Sequence, residues 1–180
     1  MDGLPELVMR RDTLSDLPPV SVEFGYLLRT YRPGDGTLWC SIASDGADGV
    51  WTPARFKAEI LESPHFDPRS ILFITLGSRP AGAAAVLRPH GDGGAAVLHL
   101  VAVRKEHRRK GIGRFLIVKA LEYARSSGST ACTVRADGRR AEAIKLCLEV
   151  GFRPEYRHET HRTQWEEICR KIGWPAAELA

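Results

Sequence analysis

The sequence predicts an α/β fold, in which a mixed, mostly antiparallel sheet is flanked by helices. Three strand-like runs, Ile71–Leu76, 82–87 and Ala95–Val103, follow one another with only short Gly- and Pro-rich turns between them. Short turns of this kind favour antiparallel neighbours. After the third run, helical and strand-like segments alternate, which favours crossover connections in the same sheet. A length of 180 residues fits a single domain.

The N-terminal segment is predicted to be an arm over residues 1–22, rich in polar and helix-breaking residues, to which Val8 and Met9 could add a short strand. Residues 24–31 are aromatic and aliphatic, and a turn at 33–36 follows them. This pattern predicts the first strand of the domain.

Two helices are expected next. The first is predicted from four apolar residues at helical spacing, Leu38, Trp39, Ile42 and Ala43. The second is better marked, because Thr52 is a good N-cap, Pro53 suits the first helical position, and Ser63 and Pro64 end the segment.

The C-terminal half is predicted to alternate helices at 111–125 and 141–150 with strands at 131–134 and 152–156. A last helix is expected from an apolar stripe formed by Trp165, Ile168, Cys169 and Ile172.

Glu166 and Glu167 are expected in the first turn of that last helix, and Arg170 and Lys171 in its last turn, an arrangement that the helix dipole favours. The domain proper is therefore expected to cover residues 23–160. Residues 161–180 are expected to add a C-terminal helix packed on the same domain.

Composition excludes several classes of protein. No apolar run approaches the roughly 18 residues of a membrane span, and the N-terminus shows no signal peptide. The four cysteines are scattered without a CxxC pair, so no metal site is expected. A cytoplasmic protein with reduced thiols and no membrane partner is the expectation.

The net charge of +4 is too small to predict nucleic-acid binding by itself. Five positive charges and one negative charge nevertheless lie within residues 104–110. Few aromatic residues accompany these charges, which counts against stacking on bases, so a nucleic-acid partner is not expected.

The basic segment joins the strand Ala95–Val103 to a helix that begins through Gly111 and Gly113. A helix N-terminus presents free N–H groups and partial positive charge, and glycines there let an anion approach the backbone. A diphosphate is the expected ligand. The P-loop pattern is absent, and Leu116 stands where a dinucleotide fingerprint has its third glycine.

The segment Val101-Ala102-Val103 followed by Arg108-Arg109-Lys110-Gly111-Ile112-Gly113 resembles the acyl-CoA motif of the GNAT superfamily of acetyl-CoA-dependent N-acyltransferases. Residues 143–147 with Gly151-Phe152 resemble that family's second motif, and the likeness is specific over residues 98–153.

The resemblance implies a sheet that splays at the acyl-CoA site, with backbone at 101–103 pairing with pantetheine and amides at 109–114 holding the pyrophosphate. The implied acetyl-CoA residues are Val101, Ala102, Val103, Arg108, Arg109, Lys110, Gly111, Ile112, Gly113 and Arg114.

The family usually carries a Tyr, commonly the acid that protonates the leaving thiolate, where this chain has Cys147. Cys147 is therefore either a candidate acid or a small packed hydrophobe. Tyr123, Tyr156 and a water molecule are other possible donors.

Strand alternation predicts that His99 shares a face with Val97, Val101 and Val103. The resemblance implies that this face looks toward the reaction centre, where a histidine suits a general base for an amine. The other interpretation is a buried histidine bonded to a backbone carbonyl.

The implied activity is transfer of an acetyl group from acetyl-CoA to a primary amine by direct attack, without a metal. The amine belongs to a small molecule or a peptide, and the enzyme is a monomer or a homodimer. Its acceptor site is expected near the first two helices and the loops at 34–36 and 89–94. The alternative is a CoA-binding regulatory or catalytically inactive GNAT-like module.

Overall fold

A computed structural model describes residues 6–46, 49–64, 66–87 and 94–175. The start of the predicted arm, most of the loop at 89–94 and the last five residues lie outside the described residues. The seven strands are β1 (Leu7–Arg11), β2 (Tyr26–Thr30), β3 (Ile71–Leu76), β4 (Arg79–Leu87), β5 (Ala95–Val103), β6 (Ala131–Ala136) and β7 (Arg153–Glu155).

Among the described residues five α-helices flank this sheet, and short 3-10 turns lie at Pro68–Ser70 and Lys105–His107. The helices are α1 (Gly36–Gly46), α2 (Pro53–Phe56), α3 (Ile112–Ser126), α4 (Ala141–Glu149) and α5 (His161–Ile172). Helix α2 continues directly into a π-helical turn at Lys57–Leu61. Among the helices of the described ranges, none combines the length and the apolar composition needed to cross a bilayer.

The strands form one sheet in the order β2-β3-β4-β5-β6-β1-β7. Only the β5–β6 pair is parallel among the described strands, and every other neighbouring pair is antiparallel. The predicted fold class, a mixed and mostly antiparallel sheet flanked by helices, is confirmed.

The sheet opens between β5 and β6. Their parallel pairing covers Ala95–Leu98 of β5 and 131–134 of β6 and then stops. Beyond that point β5 stays paired with β4, whereas Arg135 and Ala136 of β6 stay paired with β1. The splay implied by the resemblance is thus present in the backbone pairing.

Two apolar clusters cover the two faces of the sheet. Helices α3, α4 and α5 pack on one face together with Leu98, Val101 and Val103 of β5. Helices α1 and α2 pack on the other face, where Leu100 and Ala102 join the cluster. The sheet therefore carries a packed layer of helices on each face.

The short strand that Val8 and Met9 could add to the predicted arm is present and covers Leu7–Arg11. These residues form β1, which lies inside the sheet between β6 and β7, and Met9 is fully buried. The sequence signal is weak because the strand is short and ends in two arginines. Arg11 is buried all the same, since its guanidinium donates to the carbonyl of Val150 and to the carboxylate of Asp16.

The last helix begins earlier than its apolar stripe indicates. Helix α5 starts at His161, so Glu166 and Glu167 lie in its second turn and the prediction of a first-turn position is wrong. The second helix also differs, because it changes to π-helical geometry after Phe56. The remaining helices and strands agree with the sequence to within about three residues at each end.

We predict that Gly151→Ala destabilises the fold strongly. Gly151 has φ +95°, and a Cβ there would lie 1.8 Å from Nη1 of Arg11. Backbone strain of about 1–2 kcal/mol should add to roughly 1–3 kcal/mol for the displaced hydrogen bonds of Arg11. Urea unfolding measures the loss.

Gly173→Ala is the matched control, because Gly173 has φ +66° and open space around its Cβ position. This variant should show the strain alone. Equal losses of unfolding free energy in the two variants would contradict the role given to Arg11.

Candidate active site

The open edge of β5 presents backbone groups without a strand partner among the described residues. The N–H of Arg104 donates to Ala81 on β4, at 2.9 Å. Because backbone groups alternate in direction along a strand, Val101 and Val103 direct theirs toward the opening. Nε of Arg108 donates to the carbonyl of Val103 at 3.1 Å, consistent with that direction. The N–H and C=O of Val101 remain for a ligand.

The loop after β5 leads to a helix start without a side-chain cap. Arg109 and Gly111 have positive φ values of 62° and 74°, a pattern that turns successive N–H groups into a concave anion site. The first intrahelical bond of α3 runs from Phe115 N to Gly111 O at 3.0 Å. The N–H groups of residues 112–114 therefore have no intrahelical acceptor, and no side chain caps them.

The two glycines of the motif have different physical roles. Gly111 is required by its left-handed backbone, and its Cβ position meets open space. At Gly113 a Cβ would lie 2.9 Å from Cδ2 of Leu146 on α4. Gly113 thus lets α3 and α4 approach closely, a packing role in addition to the expected approach of an anion to its amide.

The guanidinium of Arg108 is engaged with backbone carbonyl groups, beginning with that of Val103. Its guanidinium also donates to the carbonyl of Asp45 at 2.9 Å, near the end of α1. The Asp45 carboxylate accepts from the N–H of Lys105 at 3.0 Å. These bonds tie the basic loop to α1 on the far face of the sheet.

The charges around the helix start are therefore Arg109, Lys110 and Arg114, which are all exposed. The side chain of Arg109 is 87% exposed, and its nearest carboxylate is Glu142 at 3.4 Å. Arg114 and Gly111 also line a shallow groove with residues 19–21. Such exposed cations can reorient toward a phosphate at little cost.

A buried pair supports the same loop from beneath. The hydroxyl of Tyr26 lies 2.8 Å from Nδ1 of His107, and the two rings meet edge to face. Both side chains are buried. His107 lies one residue before Arg108, so this hydrogen bond fixes the position at which the loop leaves the sheet.

His99 lies on the α2 side of the sheet at the opening. Ala85 pairs with Leu100 and Val86 with Leu98, so His99 is the extra residue of a β-bulge. The bulge reverses the alternation, and Val101 therefore faces α3 whereas His99 contacts Trp51. The prediction that His99 shares a face with Val101 and Val103 is wrong for that reason.

The immediate surroundings of His99 are a carboxylate and an aromatic ring. Nε2 of His99 lies 3.6 Å from Oε2 of Glu59, and its ring centroid lies 6.2 Å from that of Trp51. Burial holds the pKa of His99 below its ordinary value of 6.5, while the charge of Glu59 acts in the opposite direction. His99 is therefore neutral near pH 7, the form that accepts a proton.

Three residues of this cluster were missed by the sequence reasoning, namely Trp51, Arg55 and Glu59. Nε of Arg55 lies 2.8 Å from Oε1 of Glu59, and its guanidinium lies over the Trp51 ring at 4.2 Å. The spacing of four residues between Arg55 and Glu59 is readable in the sequence. Their approach to His99 is not, because it depends on how α2 lies on the sheet.

Cys147 lies in the apolar cluster on the α3 side of the sheet. Burial raises the pKa of its thiol to about 12. A thiol with that pKa is a weak acid, and the position favours the packing interpretation. All four cysteines are buried free thiols.

The tyrosines considered as alternative donors lie elsewhere. Tyr123 follows the start of α3 by three turns, and its hydroxyl is engaged with Ser127 and Asp67. Tyr156 follows β7, three positions from β5 in the sheet order.

We predict that Tyr26→Phe weakens CoA binding as well as stability. The variant leaves the buried Nδ1 of His107 without its partner, which should lower the free energy of unfolding by about 1–3 kcal/mol. Calorimetric titration with CoA and a denaturant curve measure the two effects.

Tyr31→Phe serves as the comparison, because Tyr31 makes ring contacts with Phe56 and Phe66 on the other face. A Tyr26→Phe protein with the CoA affinity of the wild type would show that the pair does not position the loop.

Comparison with known proteins places these features in a family. A family model described as "Acetyltransferase (GNAT) family" matches residues 37–152, which include β5, the basic loop and α4. A mycothiol acetyltransferase of Acidothermus cellulolyticus is 29% identical over 166 residues, covering 82% of this chain and 50% of that protein. A mycothiol acetyltransferase of Thermomonospora curvata is 31% identical over 153 residues, covering 81% and 50%.

The chain thus spans about half the length of these curated relatives. Its fold is similar to the crystal structure of a GCN5-related N-acetyltransferase from Sphaerobacter thermophilus, with a TM-score of 0.70 at 20% identity. That match covers 83% of this chain and 48% of the other. On the match over residues 37–152, the chain belongs to the acetyltransferase (GNAT) family.

Proposed function

We propose that the chain is an N-acetyltransferase that moves an acetyl group from acetyl-CoA to a primary amine. The observation that carries the proposal is the open edge of β5 next to the uncapped start of α3. The strand edge offers unpaired backbone groups to an extended chain with amide groups, and the helix start offers them to a diphosphate. CoA contains both, as its pantetheine arm and its pyrophosphate.

The residues present fit acetyl-CoA. The C=O of Val101 and the N–H of Val103 suit pairing with the pantetheine amides, in the way that one strand pairs with another. The amides from Arg109 to Arg114 suit the pyrophosphate. Arg109, Lys110 and Arg114 add positive charge there, whereas Arg108 holds the loop.

Acetyl-CoA supplies a thioester, which a neutral amine can attack directly without a covalent enzyme intermediate. An amine is mostly protonated at neutral pH, so it needs a base before it can attack. His99 is neutral at that pH and lies at the opening, so it accepts the ammonium proton directly or through water. The N–H of Val101 polarises the thioester carbonyl.

We assign no acid role to Cys147. Proton transfer from a thiol with a pKa of about 12 to a CoA thiolate would be uphill, because an ordinary thiol has a pKa near 8.5. Solvent is the donor that the open end of the sheet admits.

The acceptor enters, in this proposal, from the α1 and α2 side, where His99 and Trp51 lie. Two relatives are named mycothiol acetyltransferases, and the acceptor that such enzymes use belongs in the first set of amines to be tested. We place the protein in the cytoplasm, where its four free thiols would stay reduced, as a monomer or a homodimer.

The experiment that tests the proposal measures CoA release from acetyl-CoA across a panel of amines that includes amino sugars, arylalkylamines, peptides with free N-termini and the mycothiol acceptor. Amine-dependent CoA release is expected. Tight CoA binding without turnover of any amine would favour the alternative, a CoA-binding module without catalysis.

We predict that CoA binds less tightly as salt rises, because exposed charge–phosphate contacts are screened over a Debye length of about 8 Å at physiological ionic strength. Lys110→Ala should weaken binding by about two- to fivefold at low salt and should flatten the salt dependence. Calorimetric titrations at several salt concentrations give both numbers.

Arg69→Ala is the control for that experiment. It removes an exposed positive charge near the other end of α3, where Arg69 pairs with Asp67. A salt dependence that Arg69→Ala alters as much as Lys110→Ala would mean that the loop charges do not contact the phosphates.

We predict that His99→Gln lowers kcat by about 10²–10⁴-fold with little change in CoA affinity. The acidic limb of the wild-type pH–kcat curve should lie below pH 6.5, because burial lowers the pKa of His99 from that value and the base works only above its pKa. The variant should lose this limb. A lowered melting temperature with an unchanged limb would instead identify His99 as a packing residue.

A further inference from the structure

The imidazole of His99 has two unlike nitrogens in this fold. Nε2 is enclosed, without a hydrogen-bond partner among the described residues, and faces Oε2 of Glu59 at 3.6 Å. The His99 side chain as a whole is nevertheless 28% exposed. A neutral imidazole has one N–H and one lone pair, so the nitrogen that carries the proton decides which nitrogen can act as a base.

Only one of the two carboxylate oxygens of Glu59 contacts Arg55. Oε1 lies 2.8 Å from Nε of Arg55, which is stacked on Trp51. Oε2 is directed at His99 instead. Arg55 therefore holds the carboxylate through Oε1 and leaves Oε2 for the imidazole.

The backbone under Glu59 is also unusual. Glu62 N donates to Lys57 O at 2.9 Å, the i→i+5 bond of a π turn, and Glu59 lies inside that turn. Single π turns are frequent at functional sites. The next residue, Ile60, is fully buried in the cluster that includes Leu100 and Ala102 of β5, so the turn is anchored in the core beside that strand.

The separation of 3.6 Å between Nε2 and Oε2 is just beyond hydrogen-bond distance. A closure of about 0.6 Å forms the bond, and catalytic hydrogen bonds are often long before substrate binds. A carboxylate accepts and cannot donate, so Nε2 must carry the proton in that bond.

We propose that Glu59 is a positioning residue that accepts the Nε2 proton of His99 and so leaves the lone pair on Nδ1 for the acceptor amine. This inference rests on the proposed function, because it assigns the nitrogen through which His99 acts. In the step itself, the bond between a proton and the ammonium nitrogen breaks and a bond between that proton and Nδ1 forms. The amine keeps the electron pair, and the resulting imidazolium later releases the proton to solvent.

Charged groups around His99 set the sign of its pH dependence. The charge of Glu59 raises the pKa of His99, and those of Arg55 and of Arg135 on β6 lower it. Removing the Glu59 charge therefore moves the acidic limb of the pH–kcat curve to lower pH. Glu59→Gln also places an amide donor opposite Nε2, which favours the other tautomer.

The test is NMR of the full chain with ¹⁵N-labelled histidine, together with kinetics on an amine that the wild type acetylates. The chain has six histidines, and His99→Gln identifies the signals of His99 by their loss. Wild type should show a protonated Nε2, and Glu59→Gln should lose that state. We expect kcat to fall on the order of 10²-fold in Glu59→Gln, with the KM for acetyl-CoA nearly unchanged and partial recovery in Glu59→Asp.

Glu62→Gln is the matched control, since Glu62 lies next to the same turn and pairs with Lys57. It should leave the tautomer, the kcat and the acidic limb as in wild type. Thermal melts of each variant separate loss of fold from loss of function.

A protonated Nδ1 in the wild type, or a tautomer that Glu59→Gln leaves unchanged, would overturn the inference whatever the activity. A changed tautomer with unchanged kcat would also overturn it, because Glu59 would then only pack against His99. If no amine of the panel were acetylated although CoA bound, the proposed function itself would fail, and the tautomer measured by NMR would still decide whether Glu59 governs His99.

Discussion

The backbone hydrogen bonds of β5 end on one side at Leu98, because β6 turns there toward β1. A strand cannot leave its polar groups unpaired without a partner or solvent. The backbone groups of β5 at the opening therefore need a ligand or solvent as hydrogen-bond partner. Packed helices cover both faces of the sheet. The loop, the start of α3 and His99 all take their positions from the point at which the pairing stops.

The basic loop is held by the buried pair beneath it and by the contacts of Arg108. Tyr26 binds His107 from beneath, and the carbonyl groups of Val103 and Asp45 bind the guanidinium of Arg108. A loop anchored in this way presents its amides in a fixed array before any ligand arrives, which lowers the ordering cost of binding. The loop thus carries Arg108, which these backbone contacts hold, beside the exposed Arg109 and Lys110, whose side chains can turn toward an anion.

Sequence patterns predicted the central strands, the helix that begins after Gly111 and the family, because these depend on local periodicity and on a contiguous motif. The bulge at His99 escaped prediction, since it is set by the pairing of β4 with β5 and not by residue type. The full extent of strand β1 escaped prediction for a similar reason, as Arg11 is polar in sequence and buried through the carbonyl of Val150 and the carboxylate of Asp16. The cluster of Trp51, Arg55 and Glu59 around His99 likewise depends on tertiary packing.

Strand β1 has a consequence for the order in which the chain can fold. Leu7 pairs with Ala136, and Val8 pairs with Glu155. The partners of β1 are therefore synthesised more than a hundred residues after it. Contacts so distant along the chain slow folding. During synthesis the strands β2 to β5 can pair first, whereas the far half of the sheet assembles only after β6 and β7 have left the ribosome. Until then, the N-terminal strand is an unprotected edge that a chaperone or a neighbouring nascent chain can reach.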